Sequence, residues 1–431
     1  MSLVRPRRLG RSAGFVAAAL AFAIGMLGTT LPTPLYELYR QRFGFSELMV
    51  TVIFAVYAAG VIAALLLFGR LSDQIGRRRV LLAGLGLSAL SAVAFLAANG
   101  LALLFIGRVV SGLSAGIFTG TATATLVDLA PLERRGRATL VATIANMGGL
   151  GCGPLLAGVL SESAGGPLRL TFWVYLALLV PAATGIWAMP EPAATTTRAH
   201  LRPHLPKVPS SMRPIFIRAA LAGFAGFAVL GLFTALAPAF LGQGLGVTSR
   251  AAVGLVVFAV FAASALGQMM LGPVPESRAL PTGCLGLIGG MALLALGLGL
   301  SSLALLVAGG VIAGFGQGLS FRAGLTSLNA RAPAAQRAAV ASSFFVVAYV
   351  AISLPVIGEG ALAQATGLRP AGVAFAAIVA ALSALVLMLL AGNRSDRVGS
   401  ARLASPQPIS GERKTYVRGD PADFTTRSHW P

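Results

Sequence analysis

Charge is scarce in this chain. Only 11% of its 431 residues are Asp, Glu, Lys or Arg, where a soluble globular protein carries roughly 25%. Acid is the scarcer sign, with 13 acidic residues against 33 basic ones and a net charge of +20. Lysine occurs only at Lys207 and Lys414. The histidines are His200, His204 and His429; no H-E-x-x-H pattern exists, and neither a metal site nor an enzyme is expected. The phosphate-binding pattern G-x-x-x-x-G-K-S/T is also missing, so no nucleotide-driven step and no cofactor is expected, and any energy input is expected from an ion gradient. The two cysteines, Cys152 and Cys284, fall inside apolar stretches and read as small core residues, with no disulfide expected. What the chain does have is 56% hydrophobic residues and 53 glycines. A soluble fold has too little use for so much apolar surface, and disorder needs the opposite balance. A lipid bilayer is the solvent that suits it.

The apolar residues gather into twelve runs, at about 13–36, 48–68, 79–98, 101–127, 138–160, 169–189, 214–241, 250–272, 280–300, 302–328, 339–358 and 370–391. Each is long enough, at 1.5 Å per helical residue, to cross about 30 Å of hydrocarbon. Helices are required because backbone amides in lipid must bond within their own segment. Arg5, Arg7, Arg8 and Arg11 ahead of the first run imitate a signal peptide. The run is too long for that, and no small-x-small cleavage site follows it, so it is expected to be the first spanning helix.

Basic residues fix the expected orientation. Arg108 and Arg322 lie deep inside runs; Arg40, Arg42, Arg169, Arg250 and Arg369 lie in or beside one set of gaps, and all the others lie in or beside the alternate set. That asymmetry places both termini in the cytoplasm, with Trp173 and Trp187 marking the ends of the sixth run as an aromatic belt. It also argues against nucleic acid as a partner, because the positive charge is a topology determinant rather than a patch. The prolines and polar residues of 190–213 read as a cytoplasmic linker. The expected organisation is a tail at 1–12, a six-helix bundle at 13–189, the linker, a second bundle at 214–391 and a disordered cytoplasmic tail at 392–431.

The halves repeat. A shift of 202 positions places Gly112 and Gly116 on Gly314 and Gly318, Pro131 on Pro333, and Arg135 on Arg337. It also places Gly44-Phe45-Ser46 on Gly246-Val247-Thr248. With one residue of slippage, Gly69 and Asp73 match Gly272 and Glu276. Six spans per half make the repeats parallel, with a substrate site expected near the midplane between them. The expected fold class is therefore an all-α integral membrane protein of 12 helices, two six-helix bundles related by a parallel pseudo-two-fold.

Four motifs stand out. The loop Gly69-Arg70-Leu71-Ser72-Asp73-Gln74-Ile75-Gly76-Arg77-Arg78-Arg79 sets a lone Asp among arginines at fixed distance from two glycines. It resembles the G-x-L-x-D-x-x-G-R-R/K signature of the major facilitator superfamily, and the resemblance extends over the whole chain in length, span count and repeat. By that resemblance the loop is a cytoplasmic latch of Gly69, Asp73, Gly76, Arg77 and Arg78. Asp73 would face a helix N-terminus of the other half, and Arg77 would bridge to Asp128. Such contacts are worth about 1 kcal/mol when exposed, weak enough to hold an outward-facing state and still release. Arg108-x-x-x-Gly112-x-x-x-Gly116 resembles the family's second signature, whose Arg is linked to proton coupling; a snorkelling Arg near the interface is the plainer alternative. Pro131 to Arg137 is also familiar from the family at this position. Gly149-Leu150-Gly151-Cys152-Gly153-Pro154-Leu155-Leu156-Ala157-Gly158 resembles G-x-x-x-G-P-x-x-G-G, a mark of the drug:proton antiporters, with Ala157 replacing one glycine. A generic small-residue packing face explains the same string.

The resemblance implies a proton-coupled exporter of a small organic compound or drug, with the lipid bilayer, protons and the substrate as partners; the Arg-dominated, Ala-rich composition points to a bacterial inner membrane, and a monomer is expected. A solute:proton symporter and a non-transporting sensor of the same fold remain alternatives. The acid that many relatives place within helix 1 is missing. Glu37 and Glu359 are left as proton carriers, and Glu37 approached by Arg108 is the specific expectation; either could equally be a solvated interfacial carboxylate. Tyr57, Asn146, Gln268, Gln317, Arg322 and Tyr349 are the candidate cavity residues, although such groups often bond to neighbouring helices instead. Arg322 would favour an anionic or polar substrate.

Overall fold

The computed structural model describes residues 9–68, 71–163, 165–192, 208–270, 272, 274–333 and 336–403, the side chains of 68, 276, 277, 338 and 393–403 excepted. Gly69 of the expected latch, Glu276 as a side chain, most of the linker and the last part of the tail lie outside this description. Met1–Leu390 form one compact unit. Ala391–Pro431 form a second, described only as backbone helix as far as Leu403 beyond its first two residues.

Among the described residues, 12 helices are long and apolar enough to cross a membrane. They are α1 (Arg11–Thr30), α2 (Glu47–Phe68), α3 (Arg77–Leu96), α4 (Leu101–Leu129), α5 (Arg135–Ser163), α6 (Pro167–Ala188), α7 (Arg213–Ala235), α8 (Arg250–Met269), α9 (Glu276–Gly299), α10 (Leu303–Arg331), α11 (Arg337–Thr366) and α12 (Leu368–Leu403). Large apolar side chains such as Leu20, Leu90, Trp173, Val180, Ile378 and Met388 are more than half exposed. In water that would be costly; against lipid tails it is neutral. The odd-numbered helices begin, and the even-numbered ones end, at the face that carries Arg11, Arg77, Arg135, Arg213 and Arg331. That face is called the basic face below, and the other the opposite face.

The repeat is visible in backbone geometry. Tyr36–Phe43 extends the first span as a short helix that Gly44 ends at φ +69°. The turn Phe240–Gly244 extends the seventh span, and Gly246 follows it at the same φ of +69°. The left-handed conformation suits glycine, since a Cβ would strain both positions. Helix pairs match as well. Gly112 brings α4 so close to α2 that an added Cβ would strike the Tyr57 carbonyl, and Gly116 does the same at Val61 and Ala64. Their repeat partners Gly314 and Gly318 bring α10 against the carbonyls of Val260 and Ser264 on α8. Lipid tails are as apolar as Leu, so close packing through small residues, rather than a hydrophobic drive, holds these pairs.

The halves meet along two seams. One joins α5 to α8, where Gly158 lies on the Arg250 carbonyl, Gly254 on the Pro154 carbonyl and Gly151 on Phe258 and Phe261. The other joins α2 to α11, where Gly360 lies on the Thr51 side chain and the Ser353 hydroxyl donates to the Ala55 carbonyl at 3.3 Å. The glycine string of α5 thus has two uses, since Gly149 and Gly153 pack on the Ala23 and Leu27 carbonyls of α1 within the first half.

Gly112→Ala and Gly314→Ala are expected to lower the melting temperature of the purified protein, each by an overpacking penalty of about 1–3 kcal/mol. Gly120→Ala, a position with open space around it, is expected to leave it unchanged.

Candidate functional site

A cavity of about 40 Å³ lies at the centre, lined from both halves. Thr29, Tyr57, Arg108, Thr119 and Asn146 come from α1, α2, α4 and α5; Thr234 and Tyr349 come from α7 and α11, with Phe227, Phe261, Phe321 and Phe345 between them. The space is enough for water and too small for an organic substrate. A groove of about 470 Å³ lies nearer the basic face, lined by Gly136, Leu140 and Thr143 of α5, Gln268, Met269 and Gly272 at the end of α8, and Arg322 and Thr326 of α10. Thr143 in the groove and Asn146 in the cavity are one turn apart on α5. Arg322 in the groove and Phe321 in the cavity are adjacent on α10. Phe321 packs on Phe227, Phe344 and Phe345 with ring centroids 5.1, 5.5 and 5.9 Å apart, so an aromatic cluster divides groove from cavity.

Toward the opposite face the halves are clasped by polar contacts. Gln243 donates to the Glu47 carboxylate at 2.7 Å. Arg250 donates to the Ser161 carbonyl at 2.7 Å, and the Ala251 amide donates to the Glu162 carboxylate at 3.2 Å. Glu162 therefore sits at the N-terminus of α8, where the helix dipole favours an anion. The molecule is closed on the opposite face and grooved on the basic face.

Arg108 is 1% exposed, so it does not snorkel. Its guanidinium donates to the Thr29 carbonyl at 2.6 Å and the Phe54 carbonyl at 3.3 Å, and lies 4.8 Å from the Tyr57 ring centroid. Among the described residues no carboxylate pairs with it. The expected approach of Arg108 to Glu37 is absent here, because Glu37 lies in the short helix beyond α1 and is held by Arg40 at 2.7 Å and Gln41 at 2.8 Å. Arg40 also pairs with Glu47 at 3.2 Å. Arg108 instead ties α1 and α2 to α4.

Tyr57, Asn146 and Tyr349 line the cavity, with the two tyrosine rings edge-on at 6.3 Å. Gln268 and Arg322 line the groove instead. Gln317 lines neither; it is fully buried and accepts from the Ser264 hydroxyl at 2.5 Å across the α8–α10 contact. There the plainer reading, a bond between neighbouring helices, describes it.

At the basic face, Arg77 pairs with Asp128 at 3.1 Å and Asp73 at 2.6 Å, and donates to Ser72 at 2.6 Å. Asp73 is thus engaged within its own half rather than at a helix end of the other. Gly76 turns the chain into α3 at φ +102°, a conformation that only glycine adopts freely. Sequence reasoning missed Glu191, whose carboxylate accepts from the backbone amides of Arg77 and Arg78 at 2.7 and 3.1 Å. It supplies the cap that α3 lacks locally. A partner 114 positions away leaves no local signal.

The family described as the Major Facilitator Superfamily matches residues 14–354. The chain belongs to the major facilitator superfamily. A triacylglyceride transporter of Mycolicibacterium hassiacum is 32% identical over 177 residues, 40% of this chain and 31% of that relative. An uncharacterized MFS-type transporter of Mycobacterium tuberculosis is 30% identical over 155 residues, 35% of this chain and 26% of the relative. The chain matches about a third of the length of such curated relatives. Among solved structures, a bacterial homolog of the human lysosomal transporter Spinster, in an inward-facing and occupied conformation, superposes with a TM-score of 0.70 at 16% identity. That superposition covers 88% of this chain and 96% of the other, and it establishes the shared superfamily fold.

Glu191→Gln is expected to weaken the capping of α3 by about 0.5–2 kcal/mol, read as faster hydrogen exchange at the Arg77 and Arg78 amides with no change in the middle of the helix.

Proposed function

We propose that this membrane transporter exports a small organic compound in exchange for protons by alternating access. The observation that carries the reading is the asymmetry between the faces, with polar clasps closing the opposite face and a groove between the halves on the basic face. A cavity lined from both halves, sealed from that groove by side chains, is what a carrier needs to serve the two sides in turn. The excess of arginine makes the basic face the cytoplasmic one, so the state described is inward-facing, and a bacterial inner membrane suits both.

Rocking of the halves along the α5–α8 and α2–α11 seams would open the opposite face and close the groove. Asp73 and its neighbours would then meet the other half as a latch. The proton step is assigned to the carboxylates that share Arg40. Glu37 and Glu47 compete for one guanidinium, and Glu47 also holds Gln243 of the other half. Protonating Glu47 removes the charge that both Arg40 and Gln243 engage, which loosens the clasp from the side where protons arrive. Arg108, anchored to the carbonyls of α1 and α2, transmits the shift to the cavity. The cavity's phenyl rings with a few hydroxyls, one amide and Arg108 suit an amphipathic compound with a polar or anionic end. The triacylglyceride transporters among the relatives are named for an apolar ester; a buried Arg argues for a more polar cargo here.

In proteoliposomes with an acidic lumen, adding a transported compound outside is expected to raise the luminal pH, read by an enclosed dye, as protons leave in exchange. A fall in luminal pH identifies symport, and substrate flux with no change in luminal pH contradicts proton coupling. Glu47→Gln, which keeps the side-chain shape but removes the charge that a proton would neutralise, is expected to cut the proton-linked flux about tenfold, the factor that 1.4 kcal/mol represents.

A further inference from the structure

Glu359 is the one acidic side chain among the described residues that is almost wholly buried, at 3% exposure, and neither carboxyl oxygen has a hydrogen-bond partner. It lies seven residues before the end of α11, about 10 Å below the opposite face at helical rise. It lines a cavity of about 400 Å³ between α7, α11 and α12, with Phe224 and Ala228, Leu354, and Phe375 and Ile378 as its main walls. Glu359 is the only ionisable group among the lining residues. The rim is open sideways, because Leu354 is 61% exposed and Ile378 67% exposed on the flank that faces lipid. The cavity is distinct from the central one and lies wholly within the second half.

An unpartnered acid inside an apolar wall is a costly placement that a packing role does not explain. The volume falls in the range of pockets that hold drug-sized ligands, about 300–1,000 Å³. Apolar walls select a hydrocarbon body, the lateral opening selects entry from the bilayer, and the carboxyl selects a basic nitrogen. We propose that this cavity binds a lipophilic amine taken from the membrane, with its nitrogen paired to Glu359 and its chain between α7 and α12. The pair buries no net charge, because the ammonium and the carboxylate that face one another cancel. That contact is strong where water is excluded. The site needs no step of the transport cycle, so it stands or falls independently of the export reading.

The test uses the full chain in phosphatidylcholine nanodiscs and two photo-crosslinkers, a dodecylamine with a mid-chain diazirine and the matching alcohol. After illumination, peptide mass spectrometry is expected to place the amine adducts on the segments around Phe224–Ala228, Leu354–Leu362 and Phe375–Leu382. The amine is expected to exceed the alcohol there by about tenfold, the factor that 1.4 kcal/mol represents. Glu359→Gln, which keeps the side-chain volume, should reduce the amine to the level of the alcohol, and Glu359→Asp should keep part of the excess. Thermal unfolding of each variant verifies that it is folded. Equal labelling by amine and alcohol, an excess that survives Glu359→Gln, or adducts confined to the groove around Arg322 would each overturn the proposal.

Discussion

The two halves are joined where glycine lets backbone touch backbone. At the α5–α8 seam the Arg250 carbonyl rests on Gly158 and the Pro154 carbonyl on Gly254, with no side chain between. In lipid this proximity does what water does in a soluble core, because apolar helices gain little from one another unless they approach closely. A seam of bare backbone also has few interlocking side chains, so the halves can pivot along it. The clasps near the opposite face, Gln243 to Glu47, Arg250 to the Ser161 carbonyl and Ala251 to Glu162, are a handful of hydrogen bonds. Strong packing within each half and weak polar links between halves are the combination that rigid-body rocking requires.

Much of this architecture is legible in the sequence, for physical reasons. Apolar length reports a span directly, and all twelve expected runs correspond to helices. The 202-residue shift found Gly44 and Gly246, which share one backbone conformation, and the glycines that dock α4 on α2 and α10 on α8. These features survive in sequence because nothing larger than hydrogen fits the contact. The bridge from Arg77 to Asp128 was also expected and is present as a contact.

The polar chemistry was less legible. A side chain's depth can be read from its position in a run, but its partner across 50 to 200 residues cannot. Glu37 and Arg108 are both near the outer third of the first half, yet a short helix carries Glu37 to Arg40 while Arg108 turns toward backbone carbonyls. Gln317 differs from its neighbour Phe321 only by one helical turn, which is enough to bury it between α8 and α10 rather than in the cavity. Glu162, Glu191 and Glu47 lie just outside the apolar runs, yet each meets a helix end or another helix. Glu359 was visible as a lone acid in a span, while its lateral cavity depends on three helices packing imperfectly around Ala225, Ala228 and Ala371.

The central claim is that the faces open in opposition. Spin labels at Ser46 and Thr248 span the halves on the opposite face, and labels at Glu133 and Arg331 span them on the basic face. Distances measured by pulsed electron resonance in nanodiscs, at neutral and at low pH, test the claim directly. The account predicts two populations on each face, the short distance on one accompanying the long distance on the other, with acid shifting both in opposite senses. Distances that stay single on both faces, or that lengthen together, would contradict it.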